Sequence, residues 1–121
     1  MRKSFMFVLA ASLVGMMLAA NSYAQAPQAQ AETGQQLAFN NKQGNCLACH
    51  MIPGDPKAVT STNIGPPLVG MKARFPDKAK LRAQIWDATK ANPMTVMPPF
   101  GKNLILSEQE IDKITDYIYG L

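Results

Sequence analysis

Cys46-Leu47-Ala48-Cys49-His50 is the stretch that decides the fold of this chain, because C-x-x-C-H is the attachment motif of a covalently bound haem. Two cysteines three positions apart on a helical turn direct their sulfur atoms to the same side. Each thiol can therefore add to one of the two vinyl groups along a single porphyrin edge. His50 follows at a position from which its imidazole can bind the iron. The motif predicts one covalent haem c.

A zinc site and a redox-active dithiol are the two competing interpretations of this motif. Structural zinc needs four soft ligands, whereas the whole chain contains two cysteines and one histidine. A thioredoxin-like dithiol is expected beside a βαβ pattern, which the flanking sequence lacks. Covalent haem is therefore the favoured interpretation.

The first residues of the chain predict export. Arg2 and Lys3 form a positively charged start, an apolar run covers 5–20, and Ser22-Tyr23-Ala24 fits the small-x-small cleavage rule. A second possible cut follows Ala26, but Pro27 disfavours it. The apolar run is shorter than the about 20 residues that a spanning helix needs. No cysteine lies near the cut to take a lipid, so we expect no membrane anchor.

These signals divide the chain into three parts. We expect a cleaved signal peptide at 1–24 and a flexible leader at 25–32, which is rich in Ala, Gln and Pro. Residues 33–121 have the length of one domain. Since haem is attached to cysteines outside the bacterial cytoplasm, we expect a periplasmic protein.

Basic residues are concentrated between positions 72 and 82, where five of them accompany Asp77. They form either a solvated helix face that also balances the charge of haem propionates, or a docking surface for an acidic partner. The sequence lacks the interleaved aromatic and basic residues that are typical of nucleic-acid binding, so we expect no nucleic-acid partner.

Two capping boxes predict where the first and last helices begin. Thr33 with Gln36, and Ser107 with Glu110, have the required residue types at the required spacing. We expect the first helix to run to about Asn41. In the last helix, apolar residues recur at near-helical intervals: Ile111, Ile114, Ile118 and Leu121.

A middle helix is predicted over 77–92, with Leu81, Ile85 and Ala88 on one side and Pro93 as its end. No segment alternates like a strand. The sequence therefore predicts an all-α domain wrapped around one covalent haem, with its first and last helices packed together across the haem edge.

The residue that fills the sixth position of the iron decides the function. An open position allows small molecules to bind, whereas a thioether closes the site and leaves electron transfer. Met97 is favoured because Pro98 and Pro99 extend and stiffen its segment. Met94 is the runner-up, and both methionines could instead only fill the haem pocket. The other candidates after residue 24 are Met51, adjacent to His50, and Met71, near the proximal loops.

The second ring nitrogen of His50 needs a hydrogen-bond partner, which is normally a backbone carbonyl. Gly65-Pro66-Pro67-Leu68 lies at a suitable distance downstream. We expect the carbonyl of Pro66 to accept this bond and Leu68 to pack on the porphyrin. An ordinary proline loop is the alternative.

Together these features resemble the class I cytochrome c fold, and more narrowly the SoxX subunits of bacterial thiosulfate-oxidising SoxAX cytochromes. The stretch from Arg74 to Thr89 and the Met-Pro-Pro-Phe sequence at 97–100 are the most specific. The resemblance covers about residues 33–119. Its matching stretches are 44–50, 64–68, 71–77, 81–89 and 92–101.

The resemblance implies His50 and Met97 as iron ligands, Cys46 and Cys49 as attachment points, and haem contacts from Gly65, Pro66 and Leu68. It also implies a larger SoxA partner subunit. The complex would join thiosulfate oxidatively to a cysteine of the SoxY carrier protein and pass the electrons to a small cytochrome c.

Both cysteines of the chain are used by the haem, so the sulfur-handling residue of such an L-cysteine S-thiosulfotransferase is expected on the partner. This chain would hold no catalytic residue and would be the electron-transfer subunit. The alternative is a free-standing periplasmic cytochrome c that carries electrons without an obligate partner.

Overall fold

Four α-helices and two 3₁₀ turns make up the described part of this computed structural model, residues 32–59 and 62–121. The predicted signal peptide at 1–24, and all of the predicted leader except Glu32, lie outside the described residues. No strand occurs within the described ranges, and the predicted all-α class is confirmed. The elements are α1 (Gly34–Phe39), a 3₁₀ turn (Cys46–Ala48), α2 (Met71–Arg74), α3 (Lys78–Trp86), a 3₁₀ turn (Ala88–Lys90) and α4 (Glu108–Tyr119).

Both predicted capping boxes are present at the starts of α1 and α4. The Thr33 hydroxyl accepts a hydrogen bond from the backbone N–H of Gln36 at 3.2 Å, and the Gln36 side chain accepts one from the backbone N–H of Thr33 at 2.8 Å. Ser107 and Glu110 make the equivalent pair. Such caps satisfy backbone donors that a helix start leaves unpaired. Helix α1 ends at Phe39, slightly before the predicted end.

Helices α1 and α4 pack against each other, as predicted. Gly34 allows the backbones to approach, because a Cβ added there would lie 2.0 Å from the carbonyl oxygen of Lys113. Phe39 meets Tyr117 edge to face, with ring centroids 5.9 Å apart. The fully buried side chains Leu37, Ile111 and Ile114 complete the contact.

Replacing Gly34 with alanine is therefore expected to force the two helices apart and to lower the free energy of unfolding by about 2–3 kcal/mol. Urea denaturation of the purified protein measures this change. Gly54→Ala is the matched control, because an added Cβ there has no atom within 4 Å. Equal stability of the two variants would contradict the close approach.

A partly buried polar cluster ties the loop after the C-x-x-C-H motif to both of these helices. The Tyr117 hydroxyl donates to Asp55 Oδ2 at 2.7 Å, and the Gln35 amide donates to the same oxygen. The bond from Tyr117 is the main cause that lowers the pKa of Asp55. Burial, together with the bond to Asp55, raises the pKa of Tyr117. The pair is thus held as a carboxylate and a neutral phenol at physiological pH.

The middle helix was predicted over 77–92, and its end is wrong: α3 ends at Trp86, and Pro93 does not terminate it. The Trp86 carbonyl, which would bond four residues ahead in a continuing helix, instead accepts from the backbone N–H groups of Gly101 at 3.1 Å and Lys102 at 3.3 Å. Asp87 leaves the helical region, with φ −152° and ψ 86°. A long-range contact thus replaces the last turns of the helix.

Residues of the basic 72–82 stretch make ion pairs between α3 and α4. Lys78 pairs with Asp116 at 2.6 Å, and Arg82 pairs with Asp112 at 2.6 Å and also with Glu108. These groups are largely solvent-exposed, so each pair contributes little to stability. Their placement favours the solvated-face interpretation for Lys78 and Arg82.

Across residues 32–59 and 62–121, no helix combines the length and the apolar character that crossing a membrane requires.

Candidate haem site

A mostly apolar cavity of about 580 Å³ lies between the C-x-x-C-H motif and the strap, which we define as residues 88–102. This volume falls within the range of small-molecule and cofactor sites. Side chains of the core, including Leu81, Ile85 and Ile114, form part of its wall. The structure brings all six predicted cofactor-binding residues to this cavity: Cys46, Cys49, His50, Pro66, Leu68 and Met97.

The C-x-x-C-H motif forms a single helical turn at the cavity wall. Asn45 enters it with φ 47°, in the left-handed region that asparagine tolerates better than most residues. The backbone N–H groups of Cys49 and His50 both donate to the carbonyl of Cys46, at 3.1 and 2.9 Å. The turn places both cysteines along one side of the cavity, as the spacing predicts.

The environment of Cys46 is unsuited to redox chemistry of a free thiol. Burial raises the pKa of its thiol to about 11, and the nearby Cys49 adds to this effect. Reactive dithiols instead have a lowered pKa that favours the thiolate. A thioether has no proton to lose, so the same burial is compatible with a sulfur bonded to haem.

The imidazole of His50 is oriented by the proline loop. Its Nδ1 lies 2.7 Å from the carbonyl oxygen of Pro66, which is the hydrogen bond predicted from the sequence. The tautomer with hydrogen on Nδ1 donates this bond and leaves Nε2 available to a metal. The loop is itself fixed to the motif, because the N–H of Gly65 donates to the carbonyl of Cys49 at 2.7 Å.

Two further residues support the proline loop. Arg74 donates from Nη1 to the carbonyl of Pro67 at 2.6 Å and also lines the cavity. Gly65 lies against the imidazole, because a Cβ added there would be 2.4 Å from His50 Cε1. Sequence reasoning found Gly65 only through the family resemblance and did not single out Arg74 for this role. No local pattern indicates that its guanidinium reaches the loop.

Alanine at Gly65 is expected to push the imidazole away from its position beside Pro66 and to lower the free energy of unfolding by about 1–3 kcal/mol. The shift should also perturb the haem absorption spectrum, since His50 is the predicted iron ligand. Optical spectra and urea titrations of Gly65→Ala beside Gly54→Ala test this. A Gly65→Ala spectrum identical to that of the parent would show that the ring position is insensitive to this contact.

The two distal candidates, Met94 and Met97, have different environments. Met97 is partly buried, packs against the core and lines the cavity. Its backbone N–H donates to the Thr95 hydroxyl at 3.1 Å, which shapes the turn before Pro98. Met94 is 87% exposed and lies outside the cavity lining. This placement is consistent with Met97 as the ligand, which stays a prediction.

Met71 also reaches the cavity but belongs to the core. Its side chain is fully buried, and its sulfur lies 3.3 Å from Nη1 of Arg74. It therefore fills space beneath the proline loop, in keeping with the adaptable packing of methionine.

The residues present fit a haem c. An apolar cavity, two cysteines in its lining, a histidine held through Nδ1 and a partly buried methionine are the groups that such a cofactor needs. The described ranges contain no cluster of three or more His, Cys, Asp or Glu residues that could hold another metal ion.

Comparisons with known proteins agree with this site. The cytochrome c family matches residues 31–121. A chain in the crystal structure of SoxXA from P. pantotrophus has a TM-score of 0.64 and 27% sequence identity, covering 71% of this chain and 77% of that chain.

A protein of Aquifex aeolicus (strain VF5), described as an uncharacterized lipoprotein, is 34% identical over 79 residues. The match covers 65% of this chain, which spans about 37% of the length of that relative. The family match covers the described helices, the C-x-x-C-H turn and the methionine-bearing strap together. The chain therefore belongs to the cytochrome c family of electron-transfer domains, and it is a SoxX-like class I cytochrome c.

Proposed function

We propose that this chain is the electron-transfer subunit of a SoxAX-type complex, which joins thiosulfate oxidatively to a cysteine of a SoxY-type carrier protein. The observation that carries the proposal is the likeness to a chain of SoxXA, at 27% identity over 71% of this chain. A second support is the cavity, where all six predicted cofactor-binding residues meet.

Haem c, when bound, supplies a one-electron ferric–ferrous couple. Cys46 and Cys49 would hold it through thioether bonds, and His50 Nε2 and Met97 Sδ would be its axial ligands. The Pro66 carbonyl orients the imidazole, and the buried Leu68 lines the same cavity. If His50 and Met97 both bound the iron, no coordination position would remain for a small substrate, and the chain would be suited to electron transfer rather than to chemistry on sulfur.

The sulfur chemistry would belong to the partner subunit. The chain has two cysteines, and both are assigned to haem attachment. No thiol remains to attack thiosulfate or to carry its product. The electrons released when thiosulfate is joined to the carrier would enter this chain from a SoxA-like subunit and leave toward a small cytochrome c.

Exposed apolar side chains at the cavity mouth support a subunit over a free-standing carrier. Ile64, Val96 and Ile105 line the cavity while remaining exposed to solvent. Met94, within the strap, and Leu104, just after it, are also exposed. Clusters of exposed apolar residues on a protein surface often mark the places where a partner binds. A SoxA-like partner would cover these residues and exclude water from the edge of the site.

Periplasmic location is also part of the proposal. The predicted signal peptide at 1–24, with cleavage after Ala24, would deliver the chain to the compartment where haem is attached. The Aquifex relative is described as a lipoprotein, which is likewise an exported class.

The proposal is tested by purifying the chain from the bacterial periplasm together with its SoxA-like subunit. We expect the pair to co-elute on gel filtration. Thiosulfate should then reduce the haem only when the SoxY-type carrier is present, and omission of the carrier or of thiosulfate provides the controls. A chain that elutes alone, and whose haem is not reduced in the complete mixture, would instead be a free-standing carrier.

A further inference from the structure

Asp87 is a buried carboxylate at the base of the strap, where the two ends of the strap lie side by side. Its side chain is 2% exposed. Oδ1 accepts hydrogen bonds from the backbone N–H of Thr89, at 3.1 Å, and from the Thr89 hydroxyl. Oδ2 faces Lys102 Nζ at 3.5 Å. One side chain therefore contacts both ends of the strap that carries Met97.

The residue before it reinforces the same junction. The Trp86 carbonyl accepts from the N–H groups of Gly101 and Lys102. The Trp86 ring lies directly on Gly101, where an added Cβ would be 2.0 Å from Cε3. Trp86 is absent from the cavity lining, so its ring packs on the end of the strap. The strap is thereby closed at its base independently of anything bound in the cavity.

We propose that Asp87 is a positioning residue for Met97, which holds the strap closed so that the methionine sulfur stays at the cavity. This inference rests on the proposed function, in which Met97 is an axial ligand. Met97 lies between the two tied ends, and within the strap its backbone N–H donates a hydrogen bond to the Thr95 hydroxyl. Closure at the base therefore restricts the positions its side chain can reach.

The physical basis is the entropy of the loop. A strap whose ends are already joined loses less conformational freedom when its methionine binds iron than a strap held at one end. Loss of the Lys102 contact would leave a buried charge without its cation, which favours opening of the strap. Hydrogen bonding to Thr89 and the charge of Lys102 lower the pKa of Asp87, so the group is a carboxylate at neutral pH.

Displacement of Met97 by added imidazole in the ferric holoprotein tests the inference. The measured quantity is the imidazole concentration at which half of the sulfur-to-iron charge-transfer band is lost. We expect Asp87→Asn, which keeps an oxygen for Thr89 but loses the charge, to bind imidazole about tenfold more tightly. Lys102→Gln should do the same, and because Lys102 is exposed this variant should still fold. The double variant should add little, because both changes break the same contact.

Lys80→Gln is the matched control for Lys102→Gln, because it removes the same charge and the Lys80 ammonium group makes no ion pair among the described residues. It should bind imidazole as the parent does. Urea unfolding is measured in parallel to separate strap opening from general instability. A lowered unfolding midpoint with unchanged imidazole binding in both variants would overturn the positioning role while leaving the proposed function intact. Absence of the band in the parent protein would instead remove Met97 as ligand.

Discussion

Replacement of Met97 with alanine is expected to abolish the sulfur-to-iron charge-transfer band of the ferric protein and to let carbon monoxide bind the ferrous form. The reason is placement: Met97 lines the cavity, whereas Met94 is 87% exposed and does not. Loss of a thioether ligand also removes a group that favours ferrous iron. The midpoint potential should therefore fall by an amount on the order of 0.1 V, within the about 0.8 V that axial ligands span.

Met94→Ala is the matched control for this experiment. It removes the same side chain three residues away, from a position outside the cavity. Optical spectra, carbon monoxide titration and redox potentiometry should give parent-like values for it. If Met94→Ala lost the band and Met97→Ala retained it, Met94 would be the ligand. That result would contradict the prediction from burial, because Met94 is exposed and Met97 is partly buried.

Serine at both Cys46 and Cys49 is expected to eliminate covalent haem and, with it, the stable fold. Without a covalently held occupant, the 580 Å³ cavity has to stay open, fill with water or collapse. The largely apolar side chains that line it would then face water, which costs about 25 cal/mol per Å² of apolar surface. The whole stability of an ordinary domain is only about 5–15 kcal/mol.

Haem staining after denaturing electrophoresis measures the first effect, since only a covalent cofactor stays with the chain. Far-ultraviolet circular dichroism of the same sample measures the second effect. A single Cys46→Ser variant, which keeps one attachment point, should retain stain and helicity in reduced amount. Parent-like helicity in the double variant would mean that the domain folds without the cofactor at its centre.

The structural features that the sequence predicted correctly depend mostly on residues close together in the chain. The C-x-x-C-H turn needs only the bond from His50 to Cys46, and each capping box spans four residues. The bond from His50 to Pro66 crosses a longer interval, yet proline and glycine mark that loop clearly.

The missed features depend on contacts between distant segments. The end of α3 could not be predicted because the N–H groups of Gly101 and Lys102 donate to the carbonyl of Trp86, and no sequence pattern near Trp86 indicates these hydrogen bonds. Asp87 would ordinarily be assigned to the surface, since unpaired aspartates are rarely buried. Its burial becomes understandable once Thr89, which donates two hydrogen bonds to it, and Lys102 are placed beside it.

The close packing of Gly34 against Lys113 also has a consequence for how the protein is made. These residues lie at opposite ends of the domain, so in the proposed exported protein their contact would form only after nearly all of the chain had been synthesised and had crossed the membrane. Cys46 is only partly exposed in the folded domain. Under the proposed haem attachment, the interval before the two terminal segments meet would be the time when both sulfur atoms are accessible, and premature folding would close that access.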